Sequence, residues 1–398
     1  MQRRAVPVSD LQFGMYIAEL DRPWTDTPFM FQGFSLRTAQ QLEALRRLCK
    51  HVFIDVARSA AGGSVSAAPG GPPASAPAFG IHGTATYSGQ QALEHETGLA
   101  QALHAETFAA LAQFVSPLDQ GNWALDGSPL HRLGNELADS IVRNPDALLL
   151  VTKQRETGSA AHARALQVAV YMMAFGRFLQ RSREEIAQLG LLGLLQDVGK
   201  ARLPAALLQA AAPFTGEAAE IFKKHVELSA QILGVSAGLP AKLAALALLH
   251  HERQDGKGYP RGLRGYQIGL FGSIAAICDA YDAALAPPPH GEGRSPADAV
   301  KQLLKERGTA FHGPLLEQFV RFLGAFPVGS SVELSSGELG VVAGENAMQR
   351  LKPKVAVLRG ARGQPVRAHI VDLAAEPQLR IRRTLEEGQL RFDPTRLA

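Results

Sequence analysis

Leu248-Leu-His-His-Glu-Arg-Gln-Asp-Gly-Lys-Gly-Tyr-Pro-Arg-Gly-Leu263 sets two adjacent histidines, two acids and a glycine-rich turn behind an apolar run. The preceding Leu243 to Leu249 is rich in Ala and Leu, as a buried helix is, and carries His250 and His251 near its end. Neutral imidazole is the commonest metal-ligating side chain, and a helix end that loosens its last turn can turn both rings to one side. Taken alone, the His-His pair is a weak signal. The residues around it and elsewhere in the chain decide how it is read.

Working outward, helical spacing surrounds this stretch. Apolar residues recur every three or four positions over Leu93 to Phe114 and Leu130 to Val142, and Val168 to Leu179 and Glu184 to Leu195 read as two further apolar helices, the last stopped by Gly199 and Pro204. Thr215, followed by Gly216 and Glu217, predicts an N-cap opening a helix that reaches Leu233 and carries His225. A helix from Leu270 carries Asp279 and Asp282, three apart and so on one face. Four helices thus each bring an Asp or a His beside buried-looking segments: Asp197, His225, His250 with His251, and Asp279. Each has an ordinary explanation by itself. Buried charge is costly unless paired or bound to metal, so their convergence predicts a metal cavity inside a bundle.

The flanks read differently. Residues 1–58 alternate short apolar segments with turns around one helix from Thr38 to Leu48, which predicts a small α+β module. Residues 59–88, with Gly70-Gly-Pro-Pro at their centre, have the Ala/Gly/Pro/Ser composition of a flexible linker. The all-α domain spans 89–326. From 327 to 374 the period changes to that of strands, at Ser331-Val-Glu-Leu, Leu339-Gly-Val-Val, Lys354-Val-Ala-Val-Leu and Ala368-His-Ile-Val-Asp-Leu, which predicts a small β module, as a partly closed barrel. Residues 375–398 are left as a tail. The fold class expected is multidomain and mainly α.

Composition narrows the function. Of 398 residues, 46% are apolar, enough for a sizeable core; Lys+Arg 41 against Asp+Glu 37 gives only +4 without a basic run, so nothing favours nucleic acid. No stretch reaches the ~18 consecutive apolar residues of a spanning helix, and the N-terminus lacks a signal core, so no membrane insertion is expected. The only cysteines, Cys49 and Cys278, lie far apart, which fits a reducing compartment; the cytoplasm is the expected location.

Together these residues resemble the HD-GYP branch of the HD superfamily of metal-dependent phosphohydrolases. Gln196-Asp-Val-Gly-Lys200 stands where that family has His-Asp-x-Gly-Lys, Lys224-His225 matches its lone downstream histidine, His250 to Leu263 matches its naming signature, and Cys278-Asp279-Ala-Tyr-Asp282 matches its later acid helix. The resemblance spans roughly Leu130 to Leu323, and residues 1–58 resemble a small domain of unknown function that often precedes this catalytic domain. It implies an HD-type helical bundle that hydrolyses cyclic di-GMP at a centre of two or three iron or manganese ions, which activate water near neutral pH and hold the phosphate oxygens. By the same resemblance the metal ligands are Asp197, His225, His250, His251 and Asp279. Asp197 and Lys200 are the catalytic residues, Lys200, Tyr259 and Arg261 the substrate contacts, and Gly256, Gly258 and Tyr259 the turn beside the site.

Three departures alter that expectation. Gln196 replaces the histidine of the His-Asp pair, and Arg164, in Arg-Ala-Leu-Gln-Val168, replaces an upstream histidine. An amide is a poor ligand and a guanidinium is none. His162 lies two residues from Arg164, a rotation of most of a half-turn, and is a weak substitute. The family's Ser-Asp-Arg-Pro-Tyr run is here Ala284-Leu-Ala-Pro-Pro-Pro-His-Gly-Glu-Gly-Arg294. The expectation is a degenerate site with a single ion held by Asp197, His225, His250 and His251, and with Arg164 placing its charge near Asp279 and Asp197. Hydrolysis would be weak or lost, and the role would be to bind cyclic di-GMP or a partner such as a diguanylate cyclase (GGDEF) domain. The alternative is an active phosphodiesterase producing pGpG or GMP.

Overall fold

In the computed structural model, the described residues are 3–22, 34–36, 39–55, 80–87, 91–153, 159–209, 214–286, 294–346, 349–385, 390 and 392. Trp24, Phe29, the glycine-proline centre of the expected linker and Pro287 to Gly293 lie outside them.

The N-terminal module is an antiparallel sheet with strands β1 (Arg3–Pro7), β2 (Tyr16–Leu20), β3 (Phe34–Ser35) and β4 (His51–Asp55) in the order β1-β4-β2-β3, packed on helix α1 (Ala39–Leu48). Alternation along the strands sends Val6, Ile17, Leu20, Val52 and Ile54 to one face, where they bury Leu45 of α1.

The bundle follows: α2 (Leu93–Val115), α3 (Ser128–Arg143), α4 (Pro145–Val151), α5 (Ala160–Phe178), α6 (Arg183–Leu195), α7 (Ala205–Gln209), α8 (Gly216–Lys223), α9 (His225–Val235), α10 (Leu243–Ala247), α11 (Gly269–Leu285), α12 (Pro296–Lys305) and α13 (Gly313–Leu323). The helix α6 starts at a capping box: Ser182 Oγ accepts from the Glu185 backbone N–H, and the Ser182 N–H donates back to Glu185 Oε2 at 2.9 Å. Its apolar residues, with those of α5 and α11, form one continuous core centred on Phe175, Leu192, Ile274 and Tyr281. The segment Gly265–Leu285, with mean hydropathy 1.4, is long and apolar enough to cross a membrane, contrary to the expectation from apolar run length. Within this fold it is the central core helix, 67% buried.

Two helix expectations are corrected. The helix expected from Thr215 to Leu233 is two helices, α8 and α9, that meet at Lys224, and Thr215 makes no side-chain cap. The break lets the His225 ring reach back to the Phe222 carbonyl.

The C-terminal strands β5 (Ser331–Leu334), β6 (Leu339–Gly344), β7 (Lys354–Arg359), β8 (Pro365–Asp372) and β9 (Ile381–Thr384) form one antiparallel sheet in the order β8-β7-β6-β5-β9. It is an open sheet with β8 and β9 at its edges, which corrects the barrel expectation. Ile381 to Thr384, read above as tail, pairs with β5. Its residues Arg382 and Arg383 look too polar for a strand, but both reach the Glu333 carboxylate, at 2.9 and 2.7 Å. Cross-strand ion pairing replaces the apolar alternation that would have marked it.

At the seam of bundle and sheet, burial pushes the Asp146 carboxyl up to about 6 and the Glu345 carboxyl up to about 7. The native state therefore keeps protons there that the unfolded chain releases above the ordinary carboxylate range. Their contribution is complete below about pH 4 and is lost as pH rises through 6 to 7. Asp146→Asn is expected to flatten this decline by on the order of 2–3 kcal/mol between pH 4 and 8, read by urea denaturation across that range.

Candidate metal centre

The short helix α10 ends at Ala247, and the chain then turns so that His250 and His251 leave it on the same side. The His250 Nδ1 donates to the Ala247 carbonyl at 2.8 Å. His225 does the same at the start of α9, its Nδ1 donating to the Phe222 carbonyl at 2.6 Å. A backbone acceptor at Nδ1 selects one tautomer, so each ring presents a bare Nε2 lone pair inward. Both point at one oxygen: His225 Nε2 is 3.3 Å and His250 Nε2 3.5 Å from Asp197 Oδ1.

Asp197 arrives from the turn after α6. Gly199 makes the approach possible, since a Cβ there would stand 2.2 Å from the His225 carbonyl oxygen and 2.4 Å from the Ser229 nitrogen. The Gly199 N–H donates to Ser229 Oγ at 2.8 Å, which holds the turn against α9.

The set formed by Asp197, His225, His250 and His251 places one donor atom from each within 4.8 Å of the others. Asp197 Oδ1 and the Nε2 atoms of all three histidines are buried without a hydrogen-bond partner among the described residues. Four converging acceptors, desolvated and unpaired, are strongly unfavourable unless a cation sits among them. The donor set fits one divalent ion.

Cationic side chains take up the rest of the acid. Lys200 Nζ lies 2.6 Å from Asp197 Oδ2. Burial pushes the Asp197 carboxyl up, but the positive charge around it, the Lys200 ammonium first, outweighs burial and holds the group well below the usual carboxylate range. Burial, with the neighbouring His250, keeps His251 neutral well below the ordinary imidazole range. Asp279 stands outside the group of four. Arg164 Nη2 donates to its Oδ1 at 2.8 Å and its Nε lies 3.6 Å from Asp282 Oδ2. Burial raises Asp279 and the Arg164 charge more than offsets it, so the carboxyl is held below its usual value. Gln196, which precedes Asp197 in the chain, is 1% exposed, and its Oε1 has no hydrogen-bond partner among the described residues. His162 packs edge-on against Phe108 with ring centroids 5.7 Å apart and is not among the four.

The glycine-rich loop lies over the histidines. Gly256 takes a φ of 75°, the left-handed conformation that suits glycine. Tyr259 stacks on His251 at 4.7 Å between centroids, with Lys223 Nζ 5.7 Å above its ring. Beside the metal-ligand candidates is a cavity of about 380 Å³ lined in part by Lys223, Arg253, Lys257, Tyr259 and Asp279. Arg261 is exposed, and its contribution to the loop is its backbone N–H.

Sequence reasoning missed Glu252. It is 2% exposed and accepts from the Arg261 and Leu263 N–H groups at 2.7 and 2.8 Å, which ties the loop down. An acid between the His-His pair and a Gly/Pro turn was the available signal, since a turn leaves N–H groups to satisfy. Glu252→Ala is expected to cost about 2 kcal/mol in urea denaturation and to speed exchange of the Arg261 and Leu263 amides.

Residues 146–315 match the HD domain family and residues 3–122 match a domain of unknown function, DUF3391. The chain is 31% identical to the cyclic di-GMP phosphodiesterase PA4108 of Pseudomonas aeruginosa over 94% of its own length and 90% of that protein. It is 29% identical to the cyclic di-GMP phosphodiesterase response regulator RpfG of Xanthomonas campestris over 47% of this chain and 49% of that one. It is 31% identical to the 3'3'-cGAMP-specific phosphodiesterase 2 of Vibrio cholerae over 42% of this chain and 31% of that one. The HD domain implies a divalent metal cofactor, in keeping with the donor set above.

Proposed function

The chain belongs to the HD-GYP family of cyclic di-GMP phosphodiesterases, and from that premise we propose that it binds cyclic di-GMP at a centre reduced to one metal ion, with hydrolysis weak or lost. The observation that supports this reading is the pairing of Arg164 with Asp279 at 2.8 Å, which puts a fixed cation on the acid that would otherwise serve a further ion. Asp197, His225, His250 and His251 would hold the remaining ion, and the mixed imidazole and carboxylate set suits iron or manganese. A bound ion supplies Lewis acidity toward water and phosphate oxygens. Lys200 balances the charge of Asp197 and offers a donor to a phosphate, while Tyr259 with His251 forms a flat wall of the cavity. Of the cations lining the cavity, Arg253 is paired with Asp255 and Glu306 and Lys223 with Glu220, so Lys257 is the proposed contact for a phosphodiester charge.

The two cysteines are buried and free, which supports a reducing compartment such as the bacterial cytoplasm. In a binding role the Gly258-Tyr259-Pro260 surface is the proposed contact for a protein partner such as a GGDEF domain.

One observation favours the second reading, an active phosphodiesterase: the 31% identity to PA4108, itself named a cyclic di-GMP phosphodiesterase, runs over 90% of that protein. The deciding experiment incubates purified protein with cyclic di-GMP and Mn²⁺ or Fe²⁺ and measures hydrolysis, direct binding and metal content together. Binding with little turnover and one ion per chain is expected. Restoration of turnover by Gln196→His with Arg164→His would support that reading. Wild-type turnover lost in His250→Ala, or two ions per chain, would overturn it.

A further inference from the structure

The connection from α12 to α13 is fastened to the glycine-rich loop of the metal centre. The Gln254 and Asp255 N–H groups of the loop donate to the Ala310 and Thr309 carbonyls at 3.1 and 2.9 Å. Arg253 adds a side-chain tie: its Nη1 donates to Glu306 Oε2 at 2.8 Å, while its Nε and Nη2 donate to Asp255 at 3.3 and 3.2 Å. Glu306, Ala310 and Phe311 thereby line the same cavity as His250, His251 and Asp279.

Glu306 uses only half of its carboxylate in this tie. No hydrogen bond reaches its Oε1 among the described residues, and that atom is not one of the buried unpartnered ones, so it is open to solvent. With the Glu306 side chain 43% exposed, its ion pair with Arg253 contributes little stability, and Arg253 has Asp255 as a second partner. What the pair does is fix the direction of the carboxylate relative to the loop that carries His250 and His251. A carboxylate accepts only, through two adjacent oxygens. Set beside the Phe311 ring, it suits the edge of a flat heterocycle with two neighbouring N–H donors, because enzymes read an unstacked base by its Watson–Crick edge and by aromatic contact with its face.

We propose that Glu306 is the base-specificity residue of this cavity, reading one guanine of a cyclic dinucleotide through its N1–H and N2–H donors, with Arg253 as the positioning residue that aims it. The inference rests on the reading of the cavity as a cyclic di-GMP site and adds how guanine is told from adenine there. Adenine turns an N1 lone pair toward the carboxylate where guanine has N1–H, and it lacks the N2 amine. Acceptor faces acceptor, and the free oxygen gains no partner.

The full chain is titrated calorimetrically, with Mn²⁺ present, against cyclic di-GMP and cyclic di-AMP. Wild type is expected to bind cyclic di-GMP at least about tenfold more tightly, the margin of one hydrogen bond to a charged group. Glu306→Gln puts a donor in place of one acceptor, so cyclic di-GMP should weaken by at least about tenfold while cyclic di-AMP binds as in wild type or better. Metal content should not change, since Glu306 is not among the four metal donors. Arg253→Ala releases the carboxylate and should lower the preference for cyclic di-GMP by about threefold, with Arg253→Lys restoring part of it. If Glu306→Gln fails to fold by circular dichroism, Glu306→Ala takes its place with the same expected loss for cyclic di-GMP. Equal binding of the two dinucleotides to wild type would overturn this inference and leave the cyclic dinucleotide reading standing. An unchanged preference in the Glu306 variant, or an equal loss for both ligands, would do the same. Binding of neither ligand to wild type would overturn both.

Discussion

His250→Ala is expected to lower metal affinity by more than the ~10–100-fold that removal of an outer partner costs, and to leave the chain without bound iron or manganese after dialysis. The His250 Nε2 is one of four unpartnered donors and the one whose backbone anchor, the Ala247 carbonyl, fixes its direction most plainly. Three donors remain, and no described neighbour stands ready to replace the fourth, since Asp279 is paired with Arg164. The measurement is metal content by atomic emission together with the thermal shift on adding Mn²⁺. Wild type should gain stability as the ion binds the native state alone, and the variant should gain little at the same concentration. Equal metal content in the two proteins would show that the ion, if present, lies elsewhere.

Arg164→Ala is expected to destabilise the chain by about 3 kcal/mol at pH 7. Asp279 and Asp282 are 7% and 9% exposed and both face the guanidinium, so its loss leaves buried negative charge without its nearest compensation. The sign of the pH dependence follows from Asp279. Burial raises its pKa, the Arg164 charge overcomes this, and the folded value is below the ordinary one. The ion pair therefore contributes above the ordinary carboxylate range, and its contribution is lost as pH falls through the folded value. The difference between wild type and Arg164→Ala should be largest near pH 7 and shrink as pH falls in urea denaturation. Arg164→Lys should recover only part of the loss, because an ammonium cannot span both acids as the planar guanidinium does. A variant as stable as wild type at pH 7 would mean that the two acids are compensated by other groups.

The site shows how far residues alone carry the reading. Asp197, His225, His250 and His251 lie on separate segments spread over more than fifty residues, yet each could be picked out because an ionisable group beside an apolar run is costly and needs a reason. Set against the HD-GYP pattern the chain resembles, Arg164 and Gln196 could likewise be read as losses, because neither side chain can stand in for imidazole. The direction of a ring was not legible. That His225 and His250 both give Nδ1 to a backbone carbonyl depends on the helix break at Lys224 and on the early end of α10, and apolar periodicity runs through both without a mark. Glu252 was passed over for a similar reason, since its partners are backbone N–H groups that composition does not show.

The elements followed the same division. Periods of two and of three to four residues separate the strands of the flanking modules from the outer helices of the bundle, while α5, α6 and α11 are marked by near-continuous apolar runs and are buried almost all round. Ile381 to Thr384 escaped because its sheet face is held by arginines on Glu333, a pattern that as sequence is only charge. The sequence by itself therefore determined the mainly helical bundle and the list of groups with metal-binding chemistry, as consequences of local pattern and residue type, and the family through the motifs it resembles. Tertiary structure decided that the Arg164 guanidinium, expected near Asp279 and Asp197, pairs with Asp279 and approaches Asp282, while one atom from each of the other four residues converges on a common point. Which charges are compensated by a neighbour and which await a cation depends on distances between segments remote in the chain.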